Sequence, residues 1–257
     1  MNYGLYQSAG GVLSNLHEFQ VISNNLANTQ TTGFKADLAL AQQRLPERLE
    51  SGTPVDPQLL LERLGGGQLA TPTMIEFIQG SLAQTGSSTD VAIDGKGLFV
   101  VGPERGATEE SSALTRDGRF SLNADNQLVM SATGWNLLDD RNQPIELDQG
   151  AFEIDENGTI HQGGEEVATI AMRRVEHPDA LEKLGDGLLR ATSESGPATA
   201  DTTSTVRQGY LEDSTVNPII AMKDLMELSR ALEANVRMMQ YQDLLMGQAA
   251  GTLGKVT

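Results

Sequence analysis

The chain has 257 residues, 39% hydrophobic and 21% charged, so it can bury a sizeable core and is too apolar to stay disordered. It contains no cysteine, which excludes a disulfide scaffold, a zinc–thiolate or iron–sulfur site and a cysteine nucleophile. Its net charge of −17 argues against nucleic acid or an anionic membrane as the main partner, and no apolar run is long enough for direct membrane insertion. The acid excess is uneven. Residues 1–35 carry one acid and one base, residues 213–257 five acids and four bases, and residues 36–212 hold 29 acids against 13 bases. Nearly neutral ends that pack against something, and an acidic middle that faces water, are the expectation. The opening Met1-Asn2-Tyr3-Gly4 lacks the basic and apolar regions of a cleavable leader, so export without a cleaved signal peptide, or none, is expected.

Near the N-terminus, Leu5, Ala9, Val12, Leu16, Phe19, Ser23 and Leu26 alternate steps of four and three, the spacing of a coiled-coil seam. Gly10-Gly11 costs such a helix roughly 2 kcal/mol of propensity relative to alanine, so it should need a partner. An ordinary amphipathic helix packed on the middle of the chain is the alternative. Residues 36–73 are expected to form a flexible linker with partial helix: a helical start around 37–50 runs into Ser51-Gly52-Thr53-Pro54 and then Gly65-Gly66-Gly67.

From about residue 74 the period shortens to two. Met74 to Ile78, Val91-Ala92-Ile93 and Leu98-Phe99-Val100-Val101 read as strands, and Asp117-Gly118 between strand-like flanks predicts a hairpin. Two more hairpins are expected, one turning at Ala132-Thr133-Gly134 and one at Asp155-Glu156-Asn157-Gly158, and Val167 to Val175 reads as a longer strand. Many short strands at this spacing predict an antiparallel β-rich middle domain, sandwich or barrel-like, over 74–208. At the C-terminus, Asn217-Pro218 is a cap followed by proline at the first helical position. Leu225, Leu228, Leu232, Asn235, Met239, Gln242 and Met246 again alternate threes and fours, in a segment holding five of the nine methionines. A helix of about 50 Å is expected here, suited to assembly. The fold class is then mixed α and β: long N- and C-terminal helices pair in a coiled-coil-like core, with Leu5, Val12, Leu16, Phe19, Leu26, Leu225, Leu228, Leu232, Met239 and Met246 as the assembly interface.

No motif supplies chemistry. His17, His161 and His177 have no metal spacing, no Gly-x-Ser-x-Gly elbow occurs, and Gly95-Lys96-Gly97 lacks the third glycine of a dinucleotide fingerprint. Asp155-Glu156-Asn157-Gly158 has Ile160 where a calcium loop needs glycine, so it reads as a plain turn. Catalytic, cofactor-binding and metal-binding residues are therefore expected to be none.

Several strings resemble a known family. Asn25-Leu26-Ala27-Asn28, then Thr31, then Gly33-Phe34-Lys35 closely resembles the N-terminal signature of the bacterial flagellar rod and hook proteins. Asp90 to Phe99, Thr115-Arg116-Asp117-Gly118-Arg119-Phe120, Leu184 to Leu188 and Gly209 to Asn217 resemble that family's later strings, in the same order. Length and the Asn217-Pro218…Ala221-Met222 opening are most like its proximal-rod branch, with the distal-rod branch next. The expected division of the chain is 1–35 (N-terminal core helix and signature), 36–73 (flexible, partly helical linker), 74–208 (β-rich outer domain) and 209–257 (C-terminal core helix). The resemblance implies no enzyme activity, no cofactor, export by the flagellar type III apparatus, and polymerisation with other rod subunits and with itself in a rod spanning the periplasm. The rival of another class is a ligand-binding or enzymatic β domain with helical oligomerisation arms, which a pocket with convergent titratable groups within 90–200 would favour.

Overall fold

The computed structural model describes residues 3–43, 68–103, 111–148 and 150–253. The chain divides into two compact units: Met1–Leu26, Asp37–Met74 and Asn217–Thr257 form one, and Ala27–Ala36 with Ile75–Val216 the other.

The first unit holds two helices, α1 (Tyr3–Ala27) and α2 (Pro218–Leu253). The side chain of Asn217 accepts from the backbone N–H groups of Ile219 at 3.0 Å and Ile220 at 3.4 Å, so α2 starts at a side-chain cap with proline in its first turn. The mixed α and β class holds, but the coiled-coil-like core does not. In α1 the buried residues among those described are Ser14, Val21 and Asn25, which lie roughly half a turn around the helix from the expected seam. Leu16 and Phe19, expected on that seam, are 41% and 37% exposed. Along α2 the one buried residue among those described is Ala221. A knobs-into-holes seam needs its a and d residues covered, and these are not. The expected helical start at 37–50 is also corrected over 37–43: Asp37–Leu38 and Ala41–Gln43 are extended, and the latter pairs with Gln68–Ala70 in the register Ala41↔Ala70. Thr71 closes that pair by donating both its N–H and its hydroxyl to the Leu40 carbonyl. A non-local partner has overridden local helix preference. The glycine-bearing stretches within 44–67 lie outside the described residues.

The second unit is antiparallel β. Its main sheet runs Glu182–Gly185, Leu188–Arg190, Ala113–Thr115, Leu98–Gly102, Asn136–Leu137, Leu128–Met130, Phe120–Leu122, with Met172–Arg174 also beside Leu98–Gly102 and Thr199–Ala200 beside Met172–Arg174. Leu98–Gly102 is buried throughout: Phe99 and Val101 enter one apolar cluster with Phe120, Leu137 and Ile160, while Leu98 and Val100 enter a second with Leu114, Leu138 and Leu189. Both faces of this strand are covered, which is why it reads as a continuous apolar run rather than an alternation. The turns at 132–134 and 155–158 join the antiparallel pairs expected of them. Asp117-Gly118 does not make a hairpin. Ala113–Thr115 and Phe120–Leu122 pair with other strands, and Gly118 instead lies against Val91, whose N–H donates to the Gly118 carbonyl. A Cβ there would overlap the Val91 carbonyl oxygen, so this glycine serves a close crossing rather than a turn. The expected long strand over 167–175 is two strands, Glu165–Thr169 and Met172–Arg174, in different sheets.

Candidate functional site

The signature residues end α1 and then dock on the β unit. Within the first unit, the Asn25 amide brackets the backbone of Asp37, donating to its carbonyl at 2.8 Å and accepting from its N–H at 2.9 Å; Leu26 is half-buried and Ala27 exposed. In the second unit, the Thr31 hydroxyl donates to the Asn28 side chain at 3.0 Å, and Gly33 turns the chain at φ +67°. The Gly33 N–H donates to the Glu212 carbonyl at 2.7 Å, and a Cβ at Gly33 would stand 2.4 Å from the Arg116 carbonyl oxygen. Both the left-handed backbone and the close approach therefore demand glycine. The Lys183 ammonium sits 4.0 Å from the centroid of the Phe34 ring and donates to the Lys35 carbonyl at 2.6 Å.

Lys35 closes the loop onto a buried ionic cluster. Its ammonium donates to Glu212 Oε1 and to the Ile78 carbonyl, each at 2.5 Å. Glu212 Oε1 also accepts from the Gly80 N–H at 2.7 Å, and Oε2 from Arg116 at 3.1 Å. Arg116 donates further to the carbonyls of Ile93 and Gly95. Both cations lie over the Phe77 ring, at 5.3 Å and 5.2 Å. All three charged side chains are at most 2% exposed. Burial pulls the Lys35 ammonium below the ordinary lysine range, with the Glu212 carboxylate acting against it, and Arg116 is lowered for the same reason. Such a cluster has no reacting group and no opening; it joins chain segments far apart in sequence at one carboxylate. Lys35 belongs to the expected signature. Arg116, Glu212, Phe77 and Lys183 do not, although Arg116 and Glu212 stand inside strings that carry the family resemblance.

The expected assembly residues are distributed over the two helices. Leu16 and Phe19 are exposed, Val12 and Leu26 half-buried, and the Leu5 side chain lies outside the described residues. Leu225, Leu228, Leu232, Met239 and Met246 form a half-buried row along α2. The face of α2 that periodicity did not single out is more apolar at its surface. Ile219, Ile220, Met222 and Met226 are exposed near its start, and Met238, Tyr241, Leu244 and Leu245 near its end, each more than half accessible. The helix also carries charge, with the ion pairs Lys223–Glu227 and Glu233–Arg237 each spanning one turn.

The β unit also has a cleft of about 620 Å³, lined among others by Val100, Leu114, Leu189, Arg173 and Arg190. Val100, Leu114 and Leu189 stand in one row across three strands. The cleft's lining holds one hydroxyl, Ser112, and no histidine or carboxylate, and the carboxylate nearest its arginines, Glu182, stands 3.8 Å from Arg190, so the lining itself offers no acid–base pair. Among the described residues no group of histidines and carboxylates could hold a metal ion.

Residues 92–162 match the family model described as the flagellar hook protein FlgE/F/G D1 domain, and residues 207–252 the one described as the flagellar basal body rod FlgEFG protein C-terminal. The chain is 32% identical, over all of both chains, to flagellar basal-body rod protein FlgF of Caulobacter vibrioides. It is 30% identical, over 99% of both chains, to flagellar basal-body rod protein FlgF of Rhizobium meliloti. It is 30% identical, over 97% of this chain and 98% of the relative, to flagellar basal-body rod protein FlgG of Borreliella burgdorferi.

Proposed function

The chain belongs to the flagellar basal-body rod protein family and is a structural subunit of that rod, and from this premise we propose that it builds the proximal segment, through contacts made by its terminal helices. This is a structural family and not a family of enzymes, and its members associate with other rod and hook components in the flagellar basal body. Full-length similarity to FlgF proteins, together with the Asn217-Pro218…Ala221-Met222 opening, supports the proximal position.

One observation carries the assembly reading: eight large apolar side chains stand exposed on α2, at its two ends. Covering what remains accessible of each contributes on the order of 1–2 kcal/mol, so neighbouring subunits gain strongly by packing there. On α1, Leu16 and Phe19 are exposed as well, and Leu225, Leu228, Leu232, Met239 and Met246 form a half-buried row on the other side of α2. Neighbours are other rod subunits and further copies of this chain. The chain reaches the rod through the flagellum's own type III export apparatus, and in place it passes torque from motor to hook.

The test is incorporation. Tyr241→Asp with Leu244→Asp is expected to leave the Trp135 fluorescence of the β unit unchanged while removing the chain from purified hook–basal bodies. Mass spectrometry of the unaltered chain in the same particles is expected to find a handful of copies. Tens of copies would move the chain to the distal rod, and normal incorporation of the double variant would remove α2 from the interface.

A further inference from the structure

We propose that the β units of two copies of this chain join head to tail, the Glu165-Glu166-Val167 edge of one seated in the Arg173/Arg190 cleft of the other. This deepens the rod-subunit reading and rests on it for its setting, since an axial polymer brings such copies together.

The cleft has an apolar floor and a cationic rim. Val100, Leu114 and Leu189 form the floor, and Arg173 and Arg190 contribute to its walls. Among the described residues Arg173 makes no ion pair, and Arg190 reaches only Glu182, at 3.8 Å, with both side chains more than half exposed. A pair so exposed and so long holds Arg190 weakly, leaving it available to a better carboxylate.

The complementary feature lies elsewhere on the same unit. Thr159–Gln162 and Glu165–Thr169 pair antiparallel across Gly163-Gly164, both at positive φ as a tight two-residue hairpin requires. Glu165–Thr169 is the outer strand of its three-stranded sheet. Its first three residues, two carboxylates and a valine 44% accessible, are all exposed. Neither carboxylate makes an ion pair among the described residues, and Val167 is the extra residue of a β-bulge in this outer strand, opposite the step from Ile160 to His161. Two glutamates and one valine match two arginines and an apolar floor in charge and in kind.

The hairpin and the cleft belong to different sheets of the unit. Glu165–Thr169 is the outer strand of the three-stranded sheet, whereas Arg173 and Arg190 stand on strands of the main sheet, so the edge and the cleft are separate surfaces. The contact joins two molecules. Because it uses different surfaces on each, it is heterologous, so it joins copies in series, as a ring or a helical array, rather than closing a symmetric pair.

The absence of native cysteine makes the test direct. Full-length chains carrying Pro197→Cys at the cleft and Val167→Cys on the hairpin are purified separately, mixed, and treated with a short thiol-to-thiol crosslinker. A mixed product is expected. It should fall about tenfold or more when Arg173→Glu and Arg190→Glu are added to the cleft chain, and return when Glu165→Arg and Glu166→Arg are added to the hairpin chain. Unchanged Trp135 emission checks that each variant is folded. The inference is overturned if the product does not exceed that of a control pair with Asp125→Cys in place of Pro197→Cys, or if charge reversal leaves it unchanged. Counting the unaltered chain in basal bodies separates the two readings: no crosslink but normal incorporation rejects the cleft contact alone, whereas absence from basal bodies rejects the rod subunit itself.

Discussion

Glu212 accepts hydrogen bonds from the side chains of two cations and from a backbone N–H, and its own carbonyl accepts from Gly33. A carboxylate 1% exposed is stable in such a place only because Lys35 and Arg116 replace its water, and each cation depends on it in turn. Removing the carboxylate strands two buried positive charges. Glu212→Ala is therefore expected to cost about 3–5 kcal/mol in urea unfolding followed by Trp135 fluorescence. Glu212→Gln should cost less, because the amide oxygen still accepts from Lys35 and Gly80 and the side chain still fills its place. If the alanine variant lost only about 0.5 kcal/mol, the backbone bond from Gly33 and the packing of Phe34 would be holding the signature loop without the ionic cluster.

At the level of the elements, α2 starts where its cap dictates. The Asn217 side chain satisfies two of the first free N–H groups, and its carbonyl accepts the first helical bond, from Ala221. Asn217→Ala should cost about 1 kcal/mol and reduce helical circular dichroism without moving the Trp135 signal; an unchanged helical signal would mean the start is set elsewhere. This start was legible in Asn217-Pro218, as were the strand at 98–102 and the turns at 132–134 and 155–158, because each rests on interactions local in sequence. The buried face of α1 was not. Periodicity weighs apolar residues, whereas α1 buries Ser14 and Asn25 and leaves Leu13, Leu16 and Phe19 in the open. Asn25 is buried for a reason twelve residues away, the Asp37 backbone. The ionic cluster was half legible. Lys35 stood out within the signature, but Glu212 is one acid among 35, and only the pairing of distant strands marks it as the buried one.

Over the whole molecule, apolar burial is divided unequally between the two units. The β unit contains both apolar clusters, including Phe99, Leu128, Met130, Leu137 and Ile160, each at most 1% exposed. In the helical unit the buried apolar residues among those described are Val21 and Ala221. A helix draws most of its stability from packing an apolar face rather than from propensity, and α1 also carries Gly10-Gly11 in its interior. The isolated chain should therefore unfold in two steps. The single tryptophan, Trp135, packs against the larger β cluster and reports on that unit alone, while helical circular dichroism reports mainly on α1 and α2. In a urea titration of dilute chain, the helical signal should fall at a clearly lower concentration than the tryptophan signal. Raising the protein concentration should move only the helical midpoint upward, because neighbours that cover Ile219, Tyr241 and Leu245 bind the folded helices and not the unfolded ones. Coincident transitions, independent of concentration, would mean that the helices derive their stability from within one chain, and the exposed faces of α2 would then need another explanation than assembly.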